Sequence, residues 1–208
     1  MERSAERLAN ARAGALNTID ECILRARVYL GRGELTAANE ESTRGLDLAE
    51  EQGDPQITFP ALSTRARVLF ESGNESEAGA ATEALLTRWR ASPASPPGPW
   101  IVELAAVLEG LGRGDELLAA AGQVRLRTAW FDGASALADG KAARAADIYD
   151  RIGARADAAV TRLRAAEQLI EAGQRPDADE QLEPALAFFR AAGAERYIRE
   201  AEALLAVS

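Results

Sequence analysis

One recurring spacing limits what this chain can fold into more than any other feature. Gly33 is followed five residues later by Ala38, and the same spacing joins Gly73 to Ala78, Gly114 to Ala119, Gly140 to Ala145 and Gly173 to Ala178. These glycines recur at steps of 40, 41, 26 and 33 residues, and each separates one apolar, helix-forming segment from the next. Seven residues before each stands another generally small residue: Ala26, Ala66, Val107, Gly133 and Ala166. Glycine ends a helix readily because it takes positive φ without a Cβ clash. Small residues on both flanks let two antiparallel helices approach closely. The spacing therefore predicts a succession of tight helical hairpins.

Composition agrees. Apolar residues make up 47% of the chain but aromatics only 5%, so the core must be built mainly from Ala, Leu and Val. Ala, Leu, Glu, Gln and Arg lose little on entering a helix, and no stretch alternates apolar and polar residues for long. The chain reads as all-α, with helices over 3–13, 18–32, 35–52, 57–72, 75–91, 99–112, 115–123, 126–138, 142–152, 155–172, 176–191 and 194–206. The first reads as the second helix of a hairpin without its partner, which suggests either a longer parent chain or an opening capping helix. Pro176 suits a first helical turn, whereas Pro184 is expected to kink or split its helix. The Pro-rich stretch 91–99 interrupts the series as an inter-repeat loop, or alternatively a hinge or docking loop, its ends packed onto the array by Trp89 and Trp100. Phe188 and Phe189 read as core of the last helices.

Several functional classes are disfavoured. A net charge of −9 and a pI of about 4.8 argue against nucleic acid or an anionic membrane as partner. No 18-residue apolar run exists, and the opening "MERSAERLANARAG" lacks the apolar segment of a secretion signal, which points to a cytoplasmic location. The single cysteine, Cys22, rules out an intramolecular disulfide and fits a reducing compartment. There is no histidine, hence neither the commonest general base nor the commonest metal ligand. "GRGELT" and "GRGDEL" lack the third glycine and the lysine of phosphate-cradling loops and read as turns. Acidic runs such as "AEEQGD" and "PDADEQLE" fall on expected exposed helix faces and ends. No catalytic, cofactor-binding or metal-binding residue is assigned, and the chain is not expected to be an enzyme.

The small residue, turn glycine and following alanine together resemble the tetratricopeptide repeat (TPR), a helix-turn-helix unit of 34 residues. The family's large residue between the first two maps to Tyr29, Leu69 and Leu169, and its later aromatic to Tyr149. The resemblance implies a right-handed superhelical solenoid of about five hairpins with terminal capping helices, a single domain over residues 1–208. Its units would be 17–54, 55–92, 98–124, 125–153 and 154–192, followed by a C-terminal helix, 193–207. Gly110 departs from the pattern, standing where the third unit should carry a large residue. The Ala- and Arg-rich style, and the closing "AGAERYIREAEALLAVS", are similar to the C-terminal arrays of large bacterial signalling proteins. In those, the repeats adjoin an ATP-binding module, a nucleotide cyclase or a DNA-binding domain.

The resemblance also implies a concave groove lined by the first helix of each hairpin. "RARV" occurs at 25–28 and again at 65–68, which places Arg27 and Arg67 six residues before their turn glycines and facing that groove. Two guanidiniums there suit a carboxylate or phosphate; alternatively they pair with acidic neighbours on adjacent repeats. The same register adds Asp20, Ile23 and Leu30 from the first unit, Ser63 and Phe70 from the second, and Trp130 from the fourth, the last of which also reads as core. The function expected is non-catalytic: a regulatory or interaction domain holding a peptide, a partner protein or another domain of its parent chain. The alternative is a small-molecule sensor controlling an attached ATPase, cyclase or transcription regulator. An open terminal hairpin would expose apolar surface and so permit a homo-oligomer.

Overall fold

The protein is described here by a computed structural model covering residues 2–92, 96–122, 124 and 126–206. Eleven helices follow one another among them: α1 (Glu2–Arg32), α2 (Leu35–Gln52), α3 (Pro55–Glu71), α4 (Glu75–Ala91), α5 (Trp100–Gly110), α6 (Gly114–Ala121), α7 (Ala129–Ala138), α8 (Ala142–Arg151), α9 (Arg155–Glu171), α10 (Arg175–Ala192) and α11 (Glu195–Ala206). Among the described residues there is no strand, and no helix is long and apolar enough to cross a membrane. Consecutive helices pack on each other, and α1 on α3, α3 on α5 and α5 on α7. The last helix, α11, touches α9 and also α1, so the two ends of the array meet.

The turns explain the spacing. At each hairpin the residue after the glycine donates its amide to the carbonyl five residues back: Glu34 to Tyr29, Asn74 to Leu69, Lys141 to Ala136 and Gln174 to Leu169, at 2.8–2.9 Å. This 6→1 bond closes a helix whose next residue is left-handed. In the third hairpin the donor is Arg113 and the acceptor Leu108, at 2.7 Å, and the left-handed residue is Gly112, with φ of 69°. Gly114 is therefore not the hinge: it opens α6, and a Cβ there would lie 2.1 Å from the Ala138 carbonyl oxygen. Corrected by two residues, the third unit has Ala105 seven before its turn and Leu108 four before, both fully buried. The apparent anomaly at Gly110 disappears as well, since Phe70 lies against it and a Cβ would come within 2.4 Å of the ring. Gly133 likewise makes room for the ring of Tyr149.

One further expectation is overturned, and one half of another. Residues 3–13 and 18–32 form one helix, α1, not a lone second helix followed by a new hairpin. Gly14 stays helical, Thr18 Oγ1 donates back to its carbonyl at 3.0 Å, and a mid-helix glycine weakens a helix by only about 1 kcal/mol. Pro184 does not split α10, which runs unbroken from Arg175 to Ala192 with Leu182, Ala185 and Leu186 buried around the proline. Packing of that face outweighs the missing amide donor.

The largest core cluster lies mid-array. Trp89 and Trp100, on either side of the Pro-rich stretch, meet edge to face at 5.4 Å between ring centroids, and Trp100 meets Phe59 similarly at 5.3 Å. Thr128 Oγ1 accepts from the Phe131 amide at the start of α7 and donates to the Pro97 carbonyl at 2.8 Å, tying the end of that stretch to α7. Residues 93–95 of it lie outside the described residues. A second cluster joins α9, α10 and α11 around Leu182, Leu186, Phe189 and Tyr197.

Candidate functional site

The odd-numbered helices turn a charged stripe toward the space they enclose. Arg27 on α1 reaches two other helices: its Nε lies 3.1 Å from Glu103 on α5, and its Nη2 donates to Asp157 on α9 at 2.6 Å. Thr64 on α3 donates to the other Glu103 oxygen at 2.6 Å. Arg67 on α3 is ion-paired with Glu71 one turn along the same helix, and Glu71 also accepts from Arg196 on α11. Arg196 in turn holds Glu200 at 2.7 Å. A third group links α9 to α5. There Arg164 grips both oxygens of Glu109, at 2.8 and 2.9 Å, and Glu167 at 2.9 Å, while Gln168 donates to Glu109 at 3.1 Å.

Burial dictates this pairing, because an uncompensated guanidinium or carboxylate away from water is strongly unfavourable. Burial alone would lower the Arg67 pKa, but Glu71, Tyr197 and Glu103 together outweigh it and hold the guanidinium charged. Burial would raise the Glu71 carboxyl, yet Arg67 and Arg196 keep it below the ordinary carboxylate range. Glu167 goes the other way. Burial pushes its carboxyl up, Glu200 and Glu109 add to the push, and Arg164, shared with Glu109, does not cancel it. Burial also raises the Tyr197 phenol.

Two adjoining chambers, each partly open to solvent, lie between the helices. The larger, about 330 Å³, has largely apolar walls that include Leu24, Val28, Val102, Val160 and Phe188, with Arg27, Glu103 and Asp157 on one side and Arg32 also in the lining. The smaller, about 200 Å³, has Phe70, Leu137, Glu109, Arg164, Glu167 and Glu200 in its walls. Arg67, Ala106, Val160, Thr161 and Tyr197 line both, so the chambers share a wall.

Of the residues expected to line a groove, Arg27 and Leu30 border the large chamber, Phe70 the small one, and Arg67 both. The others lie elsewhere. Asp20 is exposed on α1, and Ile23 packs on the cluster of Ile19, Ala49 and Ala61. Ser63 is fully buried and donates to the Trp100 carbonyl at 2.6 Å, fastening α3 to α5. Trp130 packs against the main core, its ring 6.1 Å from that of Tyr149. Phe189 is core, whereas its neighbour Phe188 is only half-buried and faces the chamber.

Several chamber residues escaped the sequence reading, and the slip at Gly114 accounts for part of that. Counted from Gly112, the groove positions of the third unit are Val102, Ala106 and Glu109, all three of which line a chamber. Glu103 and Arg164 share a different register position, nine residues before Gly112 and Gly173. No protein-family model, curated protein or solved structure matches this chain.

Proposed function

We propose that this chain is a non-catalytic regulatory domain that holds a small molecule in the space between its odd-numbered helices and α10. One observation carries the reading: adjoining chambers of about 330 and 200 Å³, the larger apolar-walled and the smaller rich in charge, sit where the array's ends meet. Sites for small ligands have this size and make-up. A ligand there would touch α1, α5, α9 and α10 together, and so bias how the ends of the array close. The absence of histidine supports a non-catalytic role. The hairpin register supports a TPR-like, right-handed superhelix, and the Ala- and Arg-rich style supports a cytoplasmic place in a larger bacterial signalling protein, beside an ATPase, cyclase or transcription regulator.

A second reading has its own support. Leu24 and Val28, one turn apart on α1, are 60% and 50% exposed and border the large chamber, an apolar strip suited to a peptide or partner domain.

A thermal-shift screen of metabolites and peptides separates the two readings. A ligand at a hundred times its Kd adds about 2.7 kcal/mol of stability. Ala106 lines both chambers, so Ala106→Trp, checked for helicity by circular dichroism, should erase the shift of any small-molecule hit. Hits that keep their shift in that variant would count against the interior. Peptide hits kept in Ala106→Trp but lost in Leu24→Ser/Val28→Ser would favour the outer strip.

A further inference from the structure

Within that reading, the charges around the chambers specify what kind of molecule fits. The large chamber is balanced: Arg27 and Arg32 stand against Glu103 and Asp157. The small chamber is not. Arg67 and Arg164 face three carboxylates, Glu109, Glu167 and Glu200. Adding the pair just behind the wall, Glu71 and Arg196, leaves the imbalance as it was, three guanidiniums against four carboxylates. Glu167 bears the deficit, for its one ion-pair partner among the described residues, Arg164, already holds both oxygens of Glu109. The upward shift of the Glu167 carboxyl agrees with this. Two aromatic rings, Phe70 and Tyr197, line the same chamber, and aromatic faces attract cations. From there Ala106 and Val160 lead into the apolar walls of the larger chamber.

We infer that the interior takes an amphipathic organic monocation, its ammonium among Glu109, Glu167 and Glu200 and its apolar body in the larger chamber. Such a ligand supplies the missing positive charge and a donor to Glu167. It also buries hydrocarbon against Val102, Val160 and Phe188. An anion would add to the existing excess of negative charge, and a neutral molecule would leave it uncorrected.

The inference rests on the interior being a binding site, and three probes of one shape keep the two claims apart. Isothermal titration of the intact chain with 4-phenylbutylamine, 4-phenylbutanol and 4-phenylbutyrate near neutral pH should give tightest binding by the amine. The alcohol should follow at least about tenfold weaker, and the carboxylate weaker still. Glu167→Gln should bring the amine down to the level of the alcohol while leaving the alcohol unchanged. Alcohol or carboxylate binding as tightly as the amine would overturn the charge inference and leave the interior site standing, as would full amine affinity in Glu167→Gln. Silence from all three would overturn both.

Discussion

Two carboxylates on the inward face, Glu71 and Glu167, are shifted in opposite directions. Glu71 serves two guanidiniums, and its ionised form is favoured despite burial. A carboxyl with a depressed folded pKa adds stability that is fully present above its unfolded value, about 4.3, and is lost as pH falls through the folded value. Glu167 is raised, so it favours the fold while protonated and that contribution is lost as pH rises through its folded pKa. Glu71→Gln should therefore destabilise the chain at pH 7 by about 3 kcal/mol, leaving Arg67 and Arg196 short of a partner. The deficit should shrink as pH is lowered below 4. Glu167→Gln should be neutral or stabilising at pH 7. Urea unfolding of both variants across pH checks the pair of signs; equal destabilisation by both would show that the network is misread.

At the scale of the element, most of the fold was legible because it is written locally. The hairpin turns rest on 6→1 bonds and a left-handed glycine, and the residues seven before and five after it are buried, small in every turn but the third, where Leu117 stands five after Gly112. The third turn was misplaced because "GLGRG" holds three glycines within five residues, and spacing to an alanine cannot say which one takes positive φ. Their environments differ: Gly110 faces Phe70, Gly112 is left-handed in open space, and Gly114 abuts the Ala138 backbone. Gly112→Ala should cost about 1–2 kcal/mol, the strain of a left-handed alanine. Gly114→Ala should cost more, because backbone cannot move aside as a side chain can. Thermal unfolding of the two variants decides the register, and the reverse order would restore Gly114 as the hinge.

Less of the site was legible, for a reason that belongs to the whole molecule. That Arg27 and Arg67 face inward is what the resemblance to the TPR implies, but it does not give their partners. Arg27 meets Asp157 across 130 residues of chain, and Arg196 meets Glu71 across 125. Those distances close only because successive hairpins bring α11 back onto α1, which no local spacing encodes. The same closure makes the groove a set of chambers and turns the preferred ligand from an extended peptide to a small molecule. Everything proposed for the interior thus depends on the ends of the array meeting. Gly31 and Ala194 mark that junction, with a Cβ built at Gly31 lying 3.6 Å from the Ala194 Cβ. That separation suits a disulfide, and Cys22 is buried, its thiol pushed up by burial, so it should stay out of exchange. The most direct measurement is oxidation of the Gly31→Cys/Ala194→Cys double variant. Intact-mass and non-reducing gel analysis should find one intrachain crosslink formed nearly completely, with a higher Tm than the reduced form. A double variant that stays reduced, or crosslinks only between chains, would contradict the closed array.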